Sequence, residues 1–321
     1  MPDHEETSAQ LSKMDPIEPA GPRVWLVAGP TASGKSRLAL DLATAVDGEI
    51  VNADSMQVYA DLEILTARPA PDEMSMRPHH LYGVADTREV WSVGRWLSEA
   101  RQCLADIAAR GRSAVVVGGT GLYLRALSEG LADIPSIPAA ARDAAAALLA
   151  KLGETGFRAE LAEFDPEAVR RIERGDALRL TRAMEVWLAT GRSLSDWRVD
   201  SRAPLAPDEW RGVVVDLPRA ELYRRCDARL VQMVRGGALD EVRRLMDRDL
   251  PPASPLRKAL GVAPLAAHIR GELSLEDALA RAQTDTRRYA KRQLTWFRNQ
   301  TPDWPRLAPD ADGVIRVVPH P

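Results

Sequence analysis

The chain has 321 residues, is 45% hydrophobic and 28% charged, and carries a formal net charge of -3. That length suits two domains with real cores, and that charge argues against a wholly basic nucleic-acid binder while leaving room for a local basic face. No apolar run approaches the length of a membrane span, and Cys103 and Cys226 lack metal-ligand spacing, so a reduced, cytoplasmic setting with no membrane is expected.

Residues 1–22 are polar and contain proline. They lack the basic start and apolar core of a secretory signal and are predicted to form a disordered tail. VWLVA (24–28) predicts a buried strand. GPTASGKS (29–36) follows it directly and fits G-x-x-x-x-G-K-[ST], a loop that cradles phosphate. KSRLALDLATAV (35–46) predicts the next helix and EIVNA (49–53) a second strand, ended by Asp54 and Ser55. A helix is expected over 91–111, closed by Gly111, and a third strand over SAVVV (113–117), running into Gly118 and Gly119. This alternation predicts an α/β fold, a doubly wound parallel sheet of the P-loop type.

The prolines of ADIPSIPAA (132–140) mark a boundary. Ala-, Arg- and Glu-rich sequence with helical spacing follows, until GVVVDLP (212–218) returns the chain to the sheet. The expected division is a core domain of 23–136 and 212–321 with a helical insertion domain over 137–211. Residues 219–300 read as helical, and 301–321 as irregular.

The loop's chemistry follows from its residues. Gly29, Pro30, Thr31, Ala32, Ser33 and Gly34 would turn backbone N–H groups into one concavity at a helix N-terminus. Lys35 supplies a mobile charge for outer phosphate oxygens, and Ser36 a hydroxyl for Mg²⁺. A nucleotide hydrolase also needs a carboxylate on a neighbouring strand to hold its metal. SAVVV ends in Gly118, Gly119 and Thr120 instead, and Asp216 lies beyond the insertion. Asp54, ending the second strand, opens into the same crevice and could ligand a metal, act as a base, or simply cap a helix. On these residues alone, a P-loop kinase acting on a small acceptor and an RNA-binding module both remain open.

The order of segments is more specific than any one of them. GPTASGKS, ADSMQVY (53–59), LTARP (65–69), PHHL (78–81), VGGTGLYLRAL (117–127), DALRLTRAMEV (176–186), RAELYRRCDAR (219–229), RKALG (257–261) and TRRYAKRQLTWFR (286–298) together resemble the tRNA dimethylallyltransferase family. The likeness runs from about 24 to 300. It implies that the loop holds the diphosphate of dimethylallyl diphosphate. The prenyl group would pass to the N6 amine of the adenosine 3′ of the anticodon, in tRNAs reading codons that begin with U. An exocyclic purine amine is a weak nucleophile, so a carboxylate that takes its proton would help; by resemblance that base is Asp54. Lys35, the loop amides and Arg225 would steady the leaving diphosphate, with Mg²⁺ held by Ser36. Arg219, Arg224 and Arg229 lie close to Arg225 in sequence. Thr120 would bond phosphate or orient the base. The resemblance also assigns tRNA contacts to Asp54, Ser55, Met56, Gln57, Thr120, Arg142, Leu178, Arg179, Leu180, Thr181 and Arg182. The partners it implies are a tRNA anticodon stem-loop and the diphosphate donor, with the protein a monomer.

Some features have plainer readings. Arg179 and Arg182 share a helix face, where Asp176 and Glu185 could simply pair with them. His79 and His80 lack a third ligand and suit hydrogen bonding. Trp91, Trp96 and Trp187 suit a core, while Lys291 and Arg292 fall on the outer face of a basic helix. Two segments depart from the family pattern. Leu65–Pro69 stands where G-T-A-K-P is usual, and Ile172–Asp176 where I-H-P-N-D is common.

Overall fold

The computed structural model describes residues 24–248, 250–251, 254–309 and 315–318. The expected tail, 1–22, lies outside them. The described residues form two compact units, one drawn from 24–128 and 205–318, the other Glu129–Pro204.

The first unit is built on a sheet of order β3-β2-β4-β1-β5-β6-β7. β1 (Val24–Ala28), β2 (Gly48–Asn52), β3 (His79–His80), β4 (Ser113–Gly118), β5 (Trp210–Val215) and β6 (Arg306–Pro309) run parallel. β7 (Ile315–Val318) pairs antiparallel with β6. The terminal segment expected to be irregular therefore adds two strands; prolines at 302, 305 and 309 obscured a run that sits at the sheet edge, where proline is tolerated. β1 and β4 are buried almost throughout, and β2 along its whole length, as strands covered on both faces must be.

Helices α1 (Lys35–Ala45), α2 (Pro71–Met76), α3 (Val93–Ala109) and α4 (Gly121–Ser128) connect the early strands. α9 (Arg219–Arg235), α10 (Ala238–Met246), α11 (Val262–Ile269) and α12 (Leu275–Gln300) follow β5. The large core lies on one face of the sheet: Leu26, Val51 and Val116 meet Trp96, Leu124, Val242, Leu265 and Phe297. Trp25, Val27, Ile50 and Val115 face the other way, against Ala39, Leu42 and Ala43 of α1. Alternation along β1 thus divides its side chains between two cores. Beneath the Gly loop, a smaller cluster of Leu217, Leu222, Cys226 and Ala290 packs with Ala32 and Leu294.

Two buried polar groups fasten this unit. Glu49 accepts a bidentate pair of hydrogen bonds from Arg110 (3.0 and 2.7 Å) and lies 2.7 Å from His80 Nε2. Those hydrogen bonds hold its pKa below the usual carboxylate range, against its burial. His79 Nδ1 stands 2.7 Å from Arg77 O. Trp96 is fully buried, stacks on Tyr123 and donates Nε1–H to Asn52 O at 2.8 Å.

The second unit is helical: α5 (Ala139–Ala162), α6 (Pro166–Arg171), α7 (Ala177–Thr190) and α8 (Leu194–Val199). Its core joins Ile137, Phe157, Leu161, Leu180, Met184 and Leu194. It starts before the expected boundary of 137 because Ile134 and Ile137 pack into that core. It ends before 211 because Leu205 and Trp210 belong to the core of the sheet. α5 breaks at Gly153, φ 62°. Asp165, fully buried, caps α6 through Ala168 N (2.9 Å) and also accepts from Ser195 N (3.0 Å). The unusual segment Ile172–Asp176 is held by two residues of α5. Arg158 donates to Ile172 O (2.9 Å), and Glu154 accepts from Gly175 N (2.9 Å).

No helix of the described residues is long and apolar enough to cross a membrane.

Candidate active site

Parallel strands deliver their following loops to one edge of a sheet. Here the Gly loop follows β1, Asp54 follows β2, Thr120 follows β4 and Asp216 follows β5. The loop from Gly29 to Ser36 needs two left-handed residues, Ala32 (φ 61°) and Gly34 (φ 94°). α1 then begins at Lys35 with no side-chain cap, so its first N–H groups stay open to an anion. Ser33 Oγ is buried in the loop without a hydrogen-bond partner. An orphaned hydroxyl there is a donor waiting for an acceptor. Lys35 is partly covered, and its Nζ donates to Pro30 O at 3.2 Å. Burial of the ammonium lowers its pKa to about 8; Asp54 opposes that shift and Arg229 adds to it.

Asp54 is held by its own neighbourhood. Its N–H donates to Asn52 Oδ1 (2.8 Å), its carbonyl accepts from Asn52 Nδ2 (3.0 Å), and its Oδ1 accepts from Met56 N (2.9 Å). Thr120 Oγ1 accepts from Ser55 N at 3.0 Å and donates to Ser55 Oγ at 3.3 Å. Thr120 N donates to Ala53 O at 3.2 Å. Thr120 is therefore bonded to Ser55 and to the backbone of Ala53, while Asp54 between them is held by Asn52 and Met56. Gly118 is required here, because a Cβ would overlap Ala53 O.

The charge of Asp54 reaches groups from several elements. Tyr82, Tyr123 and Tyr289 have pKa values raised chiefly by burial, with Asp54 adding to each shift. These phenols stay neutral around the carboxylate. Arg229, on α9, is pushed down by burial and held up partly by Asp54. Arg225 lies one turn earlier on the same helix. Its Nη1 is 4.0 Å from where a Gly34 Cβ would stand, and its Nε donates to Glu221 at 2.6 Å. Arg225 thus borders the loop, and the charge of Arg229 acts on Lys35. The i, i+4 spacing in RRCDAR was the signal available in sequence. Asp216 follows β5 beside the loop, and its charge raises the pKa of Arg306.

Gln293 is a site residue that sequence reasoning missed. It is buried on α12; its Oε1 accepts from Thr31 N at 2.9 Å and its Nε2 donates to Gly119 O at 2.9 Å. One amide thus ties the Gly loop to the turn that carries Thr120. The basic segment around it offered charge and aromatics, which hid the glutamine. Lys291 and Arg292 are exposed as expected, while Phe297, ahead of Leu294 and Trp296, is the buried apolar residue.

Arg142, Leu178, Arg179, Leu180, Thr181 and Arg182 all belong to the helical unit. Arg179 bonds Asp176 at 2.9 Å and Arg182 reaches Glu185 at 3.3 Å, both on exposed surface. Arg142 Nη2 donates to Ile137 O at 2.8 Å. Leu178 is 83% exposed, but Leu180 is fully buried. The side chain of Leu180 is core, so its expected contact with tRNA is not available to it. Thr181 Oγ1 bonds Ala177 O within its helix. Among the described residues no group of three or more His, Cys, Asp or Glu side chains could hold a metal ion. Ser36 is exposed at the loop's end.

Comparison with known proteins finds one family. The family model described as IPP transferase matches residues 57–300, and that described as isopentenyl transferase matches 22–83. The tRNA dimethylallyltransferase of Caulobacter sp. (strain K31) is 59% identical over 89% of this chain and 92% of its own. That of Phenylobacterium zucineum (strain HLK1) is 58% identical over 90% and 94%. Among solved structures, the full-length tRNA isopentenylpyrophosphate transferase from Bacillus halodurans superimposes with a TM-score of 0.63 at 32% identity, covering 89% of each chain. A eukaryotic dimethylallyltransferase acting on tRNA gives a TM-score of 0.76 at 28% identity, over 90% of this chain and 74% of its own.

Proposed function

We propose that this chain, which belongs to the tRNA dimethylallyltransferase family, transfers a dimethylallyl group from dimethylallyl diphosphate to tRNA. The acceptor is the N6 amine of the adenosine 3′ of the anticodon, in tRNAs reading codons that begin with U. It acts as a monomer in the cytoplasm. The observation that carries this reading is a phosphate loop bordered by Arg225, with Asp54 and Thr120 following neighbouring strands to the same edge of the sheet.

In the proposed reaction, N6 attacks C1 of the prenyl group, the C1–O bond breaks, diphosphate leaves, and Asp54 takes a proton from N6. Lys35, Arg225, Arg229 and the loop N–H groups, already in place, meet the charge that develops on the diphosphate. Ser33 Oγ would donate to the same anion. Ser36 is the loop hydroxyl suited to Mg²⁺, and among the described residues no carboxylate cluster stands beside it. Ser36 would be the hydroxyl ligand for an ion carried in with the diphosphate. Bound there, Mg²⁺ would help neutralise the leaving group. Asp54 to Gln57 and Thr120 would hold the unstacked base. Arg142, Arg179 and Arg182 of the helical unit would contact the tRNA backbone, exchanging their local oxygen partners for phosphates.

The test is transfer from radiolabelled dimethylallyl diphosphate into unmodified tRNA in the presence of Mg²⁺, beside a parallel ATP-hydrolysis assay. Label is expected at the adenosine next to the anticodon. Acceptor-dependent ATP turnover without labelled tRNA would replace this reading with a kinase.

A further inference from the structure

Glu241 lies on α10, far along the chain from the base-facing segment, and is 3% exposed. A buried carboxylate is normally paired with a cation. This one spends its oxygens on backbone. Oε1 accepts from Glu63 N (2.6 Å) and Ile64 N (2.8 Å), and Oε2 from Leu65 N (2.9 Å). Three successive N–H groups turned to one anion form a nest. The turn they begin closes through Thr66 Oγ1 to Leu62 O (2.6 Å), Ala67 N to Ile64 O (2.9 Å) and Arg68 N to Glu63 O (2.9 Å). Arg68 bonds Tyr59 O and Ala60 O from inside the same turn and pairs with Glu63.

The far end of that turn decides what Gln57 offers. Gln57 Nε2 donates to Thr66 O at 2.9 Å and to Ala67 O at 3.0 Å. Both amide hydrogens are used, so the amide cannot flip without setting its oxygen against two carbonyls. Oε1 is the group left, and it can only accept. A purine amine brings two hydrogens. One suits Asp54 and the other suits Gln57. A purine carbonyl at the same place would bring only lone pairs to both.

We propose that Glu241 is a positioning residue: by fixing the turn from Leu62 to Arg68 it locks Gln57 as a hydrogen-bond acceptor, and so makes the site select an exocyclic amine over an exocyclic carbonyl. This rests on the reading of Asp54 to Gln57 as the base-binding segment. Glu241 touches neither substrate and acts through Gln57.

The test measures dissociation constants of two anticodon hairpins, identical except for adenosine or inosine at the target position, for wild type, Q57A, E241Q and the double variant. Glu241→Gln keeps the side chain's shape but turns an amide N–H toward one of the three backbone donors. Wild type should favour adenosine by about ten-fold or more, the scale of one mismatched buried hydrogen bond. Q57A and E241Q should each lower the ratio by a similar factor, leaving the part of the preference that Asp54 supplies, and the double variant should lower it no further, since coupled residues are not additive. Thermal melting and the KM for the donor, read on the same proteins, separate loss of selection from loss of fold. E241Q weakening both hairpins equally with the ratio intact would overturn the role of Glu241. Q57A keeping the ratio, or wild type showing none, would overturn the role of Gln57 as well. Transfer of label to the adenosine hairpin by wild type is scored separately, so that failure of the reaction itself is told apart from failure of this inference.

Discussion

The Gly loop, proposed to hold the donor, and the turn proposed to face the base share one edge of the sheet and are built differently. The donor loop takes its shape from consecutive residues, with Ala32 and Gly34 in left-handed conformations and α1 following at once. The base-facing turn takes its shape from distant parts of the chain. Thr120 after β4 bonds Ser55, and Glu241 on α10 anchors residues 63–65. A phosphate is recognised by backbone N–H groups, which a short motif can arrange by itself. A base must be met by particular side-chain atoms at set distances, and holding those needs outside support. Gln293 links the two regions.

Substitutions should separate the two. The largest effect expected is on the donor side. Lys35→Ala should lower kcat/KM for the donor by about 10²–10³-fold, the usual loss for one group that stabilises developing charge, with tRNA affinity nearly unchanged; steady-state kinetics varying each substrate checks this. Lys35 also predicts a pH profile. Its free-enzyme pKa is about 8, and only the protonated form attracts diphosphate. For the donor, kcat/KM should therefore be level below that pH and fall toward ten-fold per unit above it. Donor binding restores the proton, so binding near pH 8 should take protons up, which calorimetry in buffers of different ionisation enthalpy would detect.

Next comes the base-facing side. Gly118→Ala would push on Ala53 O and shift Asp54. Misplacement on that scale can cost about 10²-fold in rate, and donor affinity should stay near wild type. Gln293→Leu should blur the distinction. It orphans Thr31 N–H and Gly119 O, at about 1–3 kcal/mol for each buried group left unpaired, so thermal stability and both KM values should suffer together. The smallest effect belongs to the helical unit. R179A/R182A should raise the KM for tRNA a few-fold and reduce the salt dependence of tRNA binding, by about 0.7–0.9 in logarithmic slope for each phosphate no longer neutralised.

What was legible in sequence follows the same division. VWLVA, GPTASGKS and SAVVV each carry a local signal, and they form the expected strands and loop. Asp54 could be placed because strand order alone brings it to the loop's edge. Glu241 and Gln293 could not, since a helical glutamate and glutamine look solvent-facing until the tertiary contacts that bury them are known. The terminal strands were missed because short edge strands with proline have no periodic signature. Leu180 shows the reverse limit: inside a resembling segment, its side chain lies on the buried face of α7 while Leu178 is exposed.

The most direct measurement of the division of labour is single-turnover prenyl transfer by Asp54→Ala at saturating donor and tRNA, with the donor dissociation constant measured on the same protein. If Asp54 accepts the proton of N6, the rate constant should fall by about 10²–10⁴-fold, the range for loss of a general base, while donor affinity changes little. A near-normal rate constant with weakened donor binding would contradict this, and would make Asp54 a member of the phosphate site.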